Sequence, residues 1–177
     1  MRYKPFAELC DVPNNILDFL NYNFDTLQKN EFPSIIDKGY LQWHNQIEKA
    51  MDENPNENEW KDPKFLLIND FFSTYVNTIF KFRLSTLKPK GEVIWHRGHD
   101  YPRIHIPLNN TDSVFQLKES ENSDIINCHT VYGKAYLVNV TLFHRVVNND
   151  NIIRKNAFFC FENFVTPELE EKYKLSL

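Results

Sequence analysis

The chain has 177 residues, 42% of them hydrophobic and 15% aromatic, which is enough for one domain with one sizeable core. Its net charge is −4, and its basic residues are singletons among acids. That leaves no electrostatic footprint for nucleic acid or for an anionic membrane. Cys10, Cys128 and Cys160 are widely spaced and include no CxxC pair, so they read as reduced, mostly buried thiols. The opening "MRYKPFAELCDVPNN" has no apolar h-region, and no window reaches the apolar length of a membrane span. A cytoplasmic protein is the expectation.

The first half reads as helical. After Asp11, the segment "VPNNILDFLNYNF" places Ile16, Leu17, Leu20 and Phe24 at helical spacing, with Pro13 tolerable in the first turn. "YLQWHNQIEKAMDE" repeats the pattern through Leu41, Ile47 and Met51. A polar, turn-rich surface loop is expected at 52–63. "PKFLLINDFFSTYVNTIF" predicts a third helix running into a strand.

From Phe80 onward the pattern changes. Short apolar or alternating runs follow one another: "FKFRLSTL", "EVIWH", "RIHIPL", "SVFQL", "IINCHTVY", "AYLVNV", "HRVVN" and "IIRKNAFFCFE". Turn residues separate them, as in "KPKG", "NNTD", "ESENSD", "YGK" and "NNDN". Regular short strands of this kind predict a β-sandwich or barrel. The expectation is a single domain over 1–177. Residues 1–78 form a mostly helical support, 79–165 a β core and 166–177 a C-terminal tail.

Chemistry-bearing residues fall at particular strand positions. On "RIHIPL", Arg103 and His105 share one face while Ile104 and Ile106 take the other, toward the core. A guanidinium beside an imidazole could bind a carboxylate; the plainer reading is an exposed polar face. His96 ends "EVIWH", and His144 starts the run "HRVVN". Two histidines at distant strand ends could meet across a barrel mouth as neutral metal ligands, or each could be structural. In "NIIRKNAFF", Ile153 and Lys155 take the face opposite Arg154. The Arg154 face either looks into the barrel or lies exposed on an edge strand.

Taken in order, these residues resemble the aspartyl/asparaginyl β-hydroxylase family, which also includes proline hydroxylases. The resemblance runs roughly from Phe80 to Leu169, through "FRLSTLKPKGEVIWHRG", "RIHIPL", the His, Val and Asn of "HRVVN", Arg154 and "TPEL". It implies an α+β chain, mainly β with N-terminal helices, built on a double-stranded β-helix (jelly-roll, cupin-like) core. It also implies Fe(II) and 2-oxoglutarate as metal and cosubstrate, with O2 as oxidant. His96 and His144 would hold iron. Arg154, assisted by Ser85, would grip the distal carboxylate of 2-oxoglutarate, and Arg103 and His105 would contact the carboxylate next to the keto group.

One position departs from the wider class, in which a carboxylate two residues after the first histidine completes a facial triad. Here that residue is Gly98, as in the β-hydroxylase branch. Either the site uses two histidines, or the chain bends at Gly98 and Asp100 becomes a third ligand. His99 competes with His96 for the metal and ranks second.

The implied function is a dioxygenase hydroxylating a C–H bond of an amino-acid substrate, peptidyl Asp/Asn-type or free proline-type. No nucleic-acid or membrane partner is implied. Two other classes stand beside it. One is a cupin-like protein using another metal without a keto acid, and the other is a non-catalytic β-sandwich binding module.

Overall fold

The computed structural model describes residues 3–28, 63–98 and 101–175. In chain order the elements are β1 (Phe6–Asp11), α1 (Asn14–Gln28), α2 (Pro63–Phe72), β2 (Val76–Leu87), β3 (Glu92–His96) and β4 (Arg103–Pro107). There follow β5 (Ser113–Lys118), β6 (Ile126–His129), β7 (Lys134–Val138), β8 (Phe143–Asn148), β9 (Arg154–Phe164) and α3 (Pro167–Tyr173). Every strand-like run of the second half is a strand, and the third helix runs into β2 as the sequence predicts. Two elements were not expected. Phe6–Asp11 is a strand within the part read as helical, and the C-terminal tail carries α3. The helix at "YLQWHNQIEKAMDE" and the loop at 52–62 lie outside the described residues, and Pro63 opens α2.

The strands form two antiparallel sheets. The larger has the order β1-β7-β4-β9-β2 and the smaller β3-β8-β5-β6. The chain is thus a mixed α+β protein whose curved antiparallel sheets are consistent with a double-stranded β-helix core. No described helix is long and apolar enough to cross a membrane.

Alternation gives the larger sheet two different faces. Ile104, Ile106, Leu137, Ala157, Phe159 and Phe161 turn outward and are fully buried. They join Ile16, Leu17 and Leu20 of α1 and Ile68 and Phe72 of α2 in the outer core. The helices are needed because a sheet facing water with that row of side chains would leave each large residue short of about 1.5–3 kcal/mol of burial. Tyr173 of α3 completes the layer, stacking on Phe164 at 5.1 Å between centroids. The N-terminus of α3 is capped by Thr166, whose Oγ1 accepts from Leu169 N at 3.3 Å.

The opposite face, turned toward the smaller sheet, is different. Leu87, Tyr136 and Val138 of the larger sheet meet Phe115, Leu117, Cys128 and Val146 of the smaller one in a second, smaller cluster. Polar side chains occupy the rest of this interior: His105, Ser113, His144, Asn148, Arg154 and Asn156 are all buried.

Asn148 is the structural member of that set. Its Nδ2 donates to the carbonyls of Leu87 at 3.2 Å, Lys88 at 2.9 Å and Ile152 at 2.9 Å. Its Oδ1 accepts from Asp150 N at 3.2 Å. One amide therefore ties the end of β2 to the turn after β8. Asn148→Ala removes all of these hydrogen bonds, that to the buried Leu87 carbonyl included, and a loss of about 2–4 kcal/mol is expected. The check is the urea midpoint, with the exposed Asn151→Ala expected to change stability by less than about 0.5 kcal/mol.

Candidate metal and anion site

The paired histidines are brought together by strand register. His96 of β3 stands directly opposite His144 of β8, after a register shift between Val93 and His96. The ring centroids are 4.0 Å apart. His96 Nδ1 lies 2.8 Å from the carbonyl of Ile94, and His144 Nδ1 lies 3.0 Å from that of Leu142. A carbonyl only accepts, so both Nδ1 atoms carry a proton, which in the neutral ring leaves the lone pair on Nε2. Backbone carbonyls fixing the far nitrogen are what metal-bound imidazoles use to hold tautomer and ring orientation.

His144 is also held neutral. Burial above all, then the neighbouring His96 and the more distant Arg103, push its pKa down to about 3. The Leu142 carbonyl opposes this only in part. Two imidazoles on adjacent strand ends are a donor set suited to a divalent transition metal.

A carboxylate ligand is not found beside them. Among the described residues, no group of three or more His, Cys, Asp or Glu could hold a metal. Gly98 gives the physical reason at its own position. Its N–H donates to the Val140 carbonyl at 2.8 Å. A Cβ there would meet Val140 Cγ2 at 3.0 Å, its carbonyl oxygen at 3.1 Å and its Cβ at 3.2 Å. A side chain there would fit only if Val140 gave way by a few tenths of an ångström. The expected alternatives at His99 and Asp100 lie outside the described residues.

The remaining sequence-predicted residues sit on one face of the larger sheet. Register places Arg103 opposite Cys160, His105 opposite Phe158, Ser85 opposite Asn156 and Leu87 opposite Arg154. Residues directly opposite share a face, so Arg103, His105, Ser85 and Arg154 all look toward the smaller sheet. The exposed reading of Arg154 and of His105 does not hold, since each is only 5% exposed.

Two aromatic rings organise the cluster. The Arg154 guanidinium carbon is 5.2 Å from the Phe115 centroid, and that of Arg103 is 5.1 Å from the Phe158 centroid. His105 stacks on Phe158 at 5.1 Å and meets Phe115 edge-on at 4.9 Å. Burial lowers the Arg154 pKa to about 10, which leaves it charged at neutral pH. His105 is driven well below the usual histidine range, first by burial and then by the charges of Arg154 and Arg103.

What this cluster lacks is hydrogen-bond partners. Arg103 Nε, His105 Nε2 and Arg154 Nη2 are buried without a hydrogen-bond partner, and so is Asn156 Oδ1. Each buried donor left this way costs roughly 1–3 kcal/mol, more when it is charged. The three donors fit a buried ligand rich in anionic oxygens. Ser85 Oγ donates to the Asn156 backbone carbonyl at 3.4 Å.

Sequence reasoning missed Asn156, Phe115 and Phe158 as members of the site. A signal for Asn156 was present: it stands two residues after Arg154, on the same strand face, in an otherwise apolar run.

No protein-family model matches the chain, and no curated protein matches it. Solved structures do. AviO1 from Streptomyces viridochromogenes Tue57 is 15% identical with a TM-score of 0.57, over 94% of this chain and 93% of that one. A Pseudomonas putida prolyl-4-hydroxylase is 14% identical with a TM-score of 0.53, over 89% and 92%. A Trichoplax adhaerens prolyl hydroxylase, solved with a peptide fragment of the hypoxia inducible factor oxygen degradation domain, is 11% identical with a TM-score of 0.51, over 95% and 84%.

The chain has the fold of these proteins. At such identities the likeness shows a shared fold and nothing beyond it. It does not single out the aspartyl/asparaginyl branch.

The depressed His144 pKa has a consequence for the metal-free protein. An unfolded imidazole has a pKa near 6.5, whereas the folded one protonates only near pH 3. The unfolded state therefore binds the extra proton first as pH falls. Stability is fully present above about pH 6.5 and is lost progressively toward pH 3. Between pH 7 and pH 5 this residue should account for about 2 kcal/mol of lost stability. The measurement is urea unfolding at both pH values in the presence of a chelator. In His144→Gln the fall with pH should be shallower by that amount.

Proposed function

We propose that the chain is an Fe(II)- and 2-oxoglutarate-dependent dioxygenase that hydroxylates a C–H bond of an amino-acid substrate, free or within a peptide. One observation carries this reading: two guanidinium donors and an imidazole nitrogen are buried without a protein partner, between the two sheets, the smaller of which carries the paired histidines. A metal-binding or sandwich module with no anionic cosubstrate has no use for that arrangement. The fold kinship supports the same superfamily.

The residues present fit the implied groups. His96 and His144 would hold the metal through Nε2, their Nδ1 protons being committed to backbone carbonyls. Asp100 remains a candidate third ligand. Arg154 would take the distal carboxylate of 2-oxoglutarate, where its planar fork offers two parallel donors. Arg103 and His105 would take the carboxylate next to the keto group, and Ser85 lies on the same face beside Arg154. The rings of Phe115 and Phe158 exclude water from these contacts, which strengthens each of them. Iron, 2-oxoglutarate and O2 together supply the oxidising power, with succinate and CO2 as co-products and a hydroxyl placed on the substrate. The protein's own contribution is to fix the cosubstrate in one pose and to keep the pocket dry.

The test separates metal from cosubstrate. With iron saturating and oxygen absent, 2-oxoglutarate binding is followed through the visible band of the iron–keto acid chelate. Arg154→Lys keeps the charge but loses the fork. A loss of roughly 1.5–3 kcal/mol predicts about 10–100-fold weaker 2-oxoglutarate binding with iron affinity unchanged. His96→Ala and His144→Ala should each end succinate formation while leaving the far-ultraviolet circular dichroism intact. Equal 2-oxoglutarate affinity in Arg154→Lys and the parent would reduce the protein to a metal-binding sandwich.

A further inference from the structure

Asn156 lies on β9, is 1% exposed, and has no role in the reading above. Its Nδ2 is 3.0 Å from the Ala157 carbonyl oxygen and 3.1 Å from His105 Nδ1. The first contact fixes the amide. Turning the amide over would set Oδ1 against the Ala157 oxygen, two acceptors at hydrogen-bond distance with no proton between them. Nδ2 therefore faces both partners, and it can only donate. His105 Nδ1 must accept, so it carries no proton, and in the neutral ring the proton belongs on Nε2.

We infer that Asn156 is a positioning residue that locks His105 in the Nε2–H tautomer, so that the pocket bounded by Arg103 and Arg154 receives a donor and not a bare ring nitrogen. Three further observations agree with it. His105 Nε2 is buried and unpartnered, so its proton is available to a ligand. The ring cannot tilt away, since Phe158 stacks on one face at 5.1 Å and Phe115 meets it at 4.9 Å. Those same two rings lie under the guanidinium groups of Arg103 and Arg154, so the imidazole proton and the two cations serve one site. In the other tautomer the Nε2 lone pair would oppose an anionic oxygen. The identity of that anion as a keto dicarboxylate rests on the proposed function, whereas the tautomer does not.

Nitrogen-15 NMR of the metal-free protein reads the tautomer directly, with His105 assigned by its loss in His105→Phe. The expected result is a pyrrole-type shift for Nε2 and a pyridine-type shift for Nδ1. In Asn156→Asp, a nearly isosteric change, the carboxylate accepts where the amide donated, and Nδ1 should become pyrrole-type. In Asn156→Leu the Nε2–H population should fall. Anaerobic 2-oxoglutarate binding to the iron-loaded Asn156→Leu protein should then be roughly 10-fold weaker or more, with iron affinity unchanged.

A pyridine-type Nε2 in the parent protein overturns the inference without any variant needing to fold. So does an unchanged tautomer in Asn156→Asp. Unaltered 2-oxoglutarate affinity in Asn156→Leu, where the parent binds it, removes the donor role. If the parent shows the expected tautomer but binds no 2-oxoglutarate, the tautomer lock stands and the proposed function falls.

Discussion

A guanidinium group between two β-sheets is a costly thing to bury, because water is withdrawn from five donors at once. Arg154 is held there with its pKa lowered to about 10 by burial, and its Nη2 has no partner. The Phe115 ring at 5.2 Å attracts the charge but accepts no ordinary hydrogen bond. Such a contact supplies about 0.5–2 kcal/mol, which does not replace the lost hydration. The arrangement persists because the same sheet is sealed on its other face. Ile104, Ile106, Leu137, Ala157, Phe159 and Phe161 are all at 0% exposure and packed under α1 and α2. The stability of the outer core thus holds the inner face in a conformation that face would not select for itself.

The histidine pair depends on strand geometry in a different way. An irregularity in β3 between Val93 and His96 brings the His96 ring to the mouth, opposite His144. Immediately beyond, the chain is pinned to Val140 through Gly98. That pin decides the ligand chemistry at this strand end. A side chain at 98 would press on Val140 at 3.0–3.2 Å, so that residue would have to give way by a few tenths of an ångström. The same local packing that presents the first histidine therefore disfavours a carboxylate two residues on.

Much of this was legible in the sequence because strand periodicity is local. The turn residues around "EVIWH", "RIHIPL" and "SVFQL" bound β3, β4 and β5 closely, and alternation alone placed Arg103 and His105 on one face. β1 escaped notice because "FAELCD" joins an edge of the larger sheet only through β7, well over a hundred residues later, and no local pattern announces such a pairing. Asn156 escaped for another reason. Its face is given by its distance from Arg154, but its role depends on which atoms it meets on its neighbour Ala157 and on His105 across the sheet. The aromatic partners Phe115 and Phe158 are of the same kind, ordinary core residues until the two sheets are closed on each other. His99 and Asp100 lie outside the described residues, so the rival first ligand and the third-ligand alternative keep the standing that sequence gives them.

Charge accounting narrows what the pocket can accept. His105 is kept neutral by burial and by its cationic neighbours, and His144 is neutral as well. Among the described side chains around His105 on the inner face of the larger sheet, the fixed charges are those of Arg103 and Arg154. A ligand with one carboxylate would leave one guanidinium uncompensated in a dry site, while two carboxylates cancel both. A third positive charge on His105 would upset that balance, and so would a negative side chain at the position of Asn156. An amide there avoids both: it fixes the imidazole through a neutral hydrogen bond and adds no charge. The choice of Asn over Asp at 156 therefore follows from the same constraint as the buried arginines, since the ligand, and not the protein, has to supply the counter-charge.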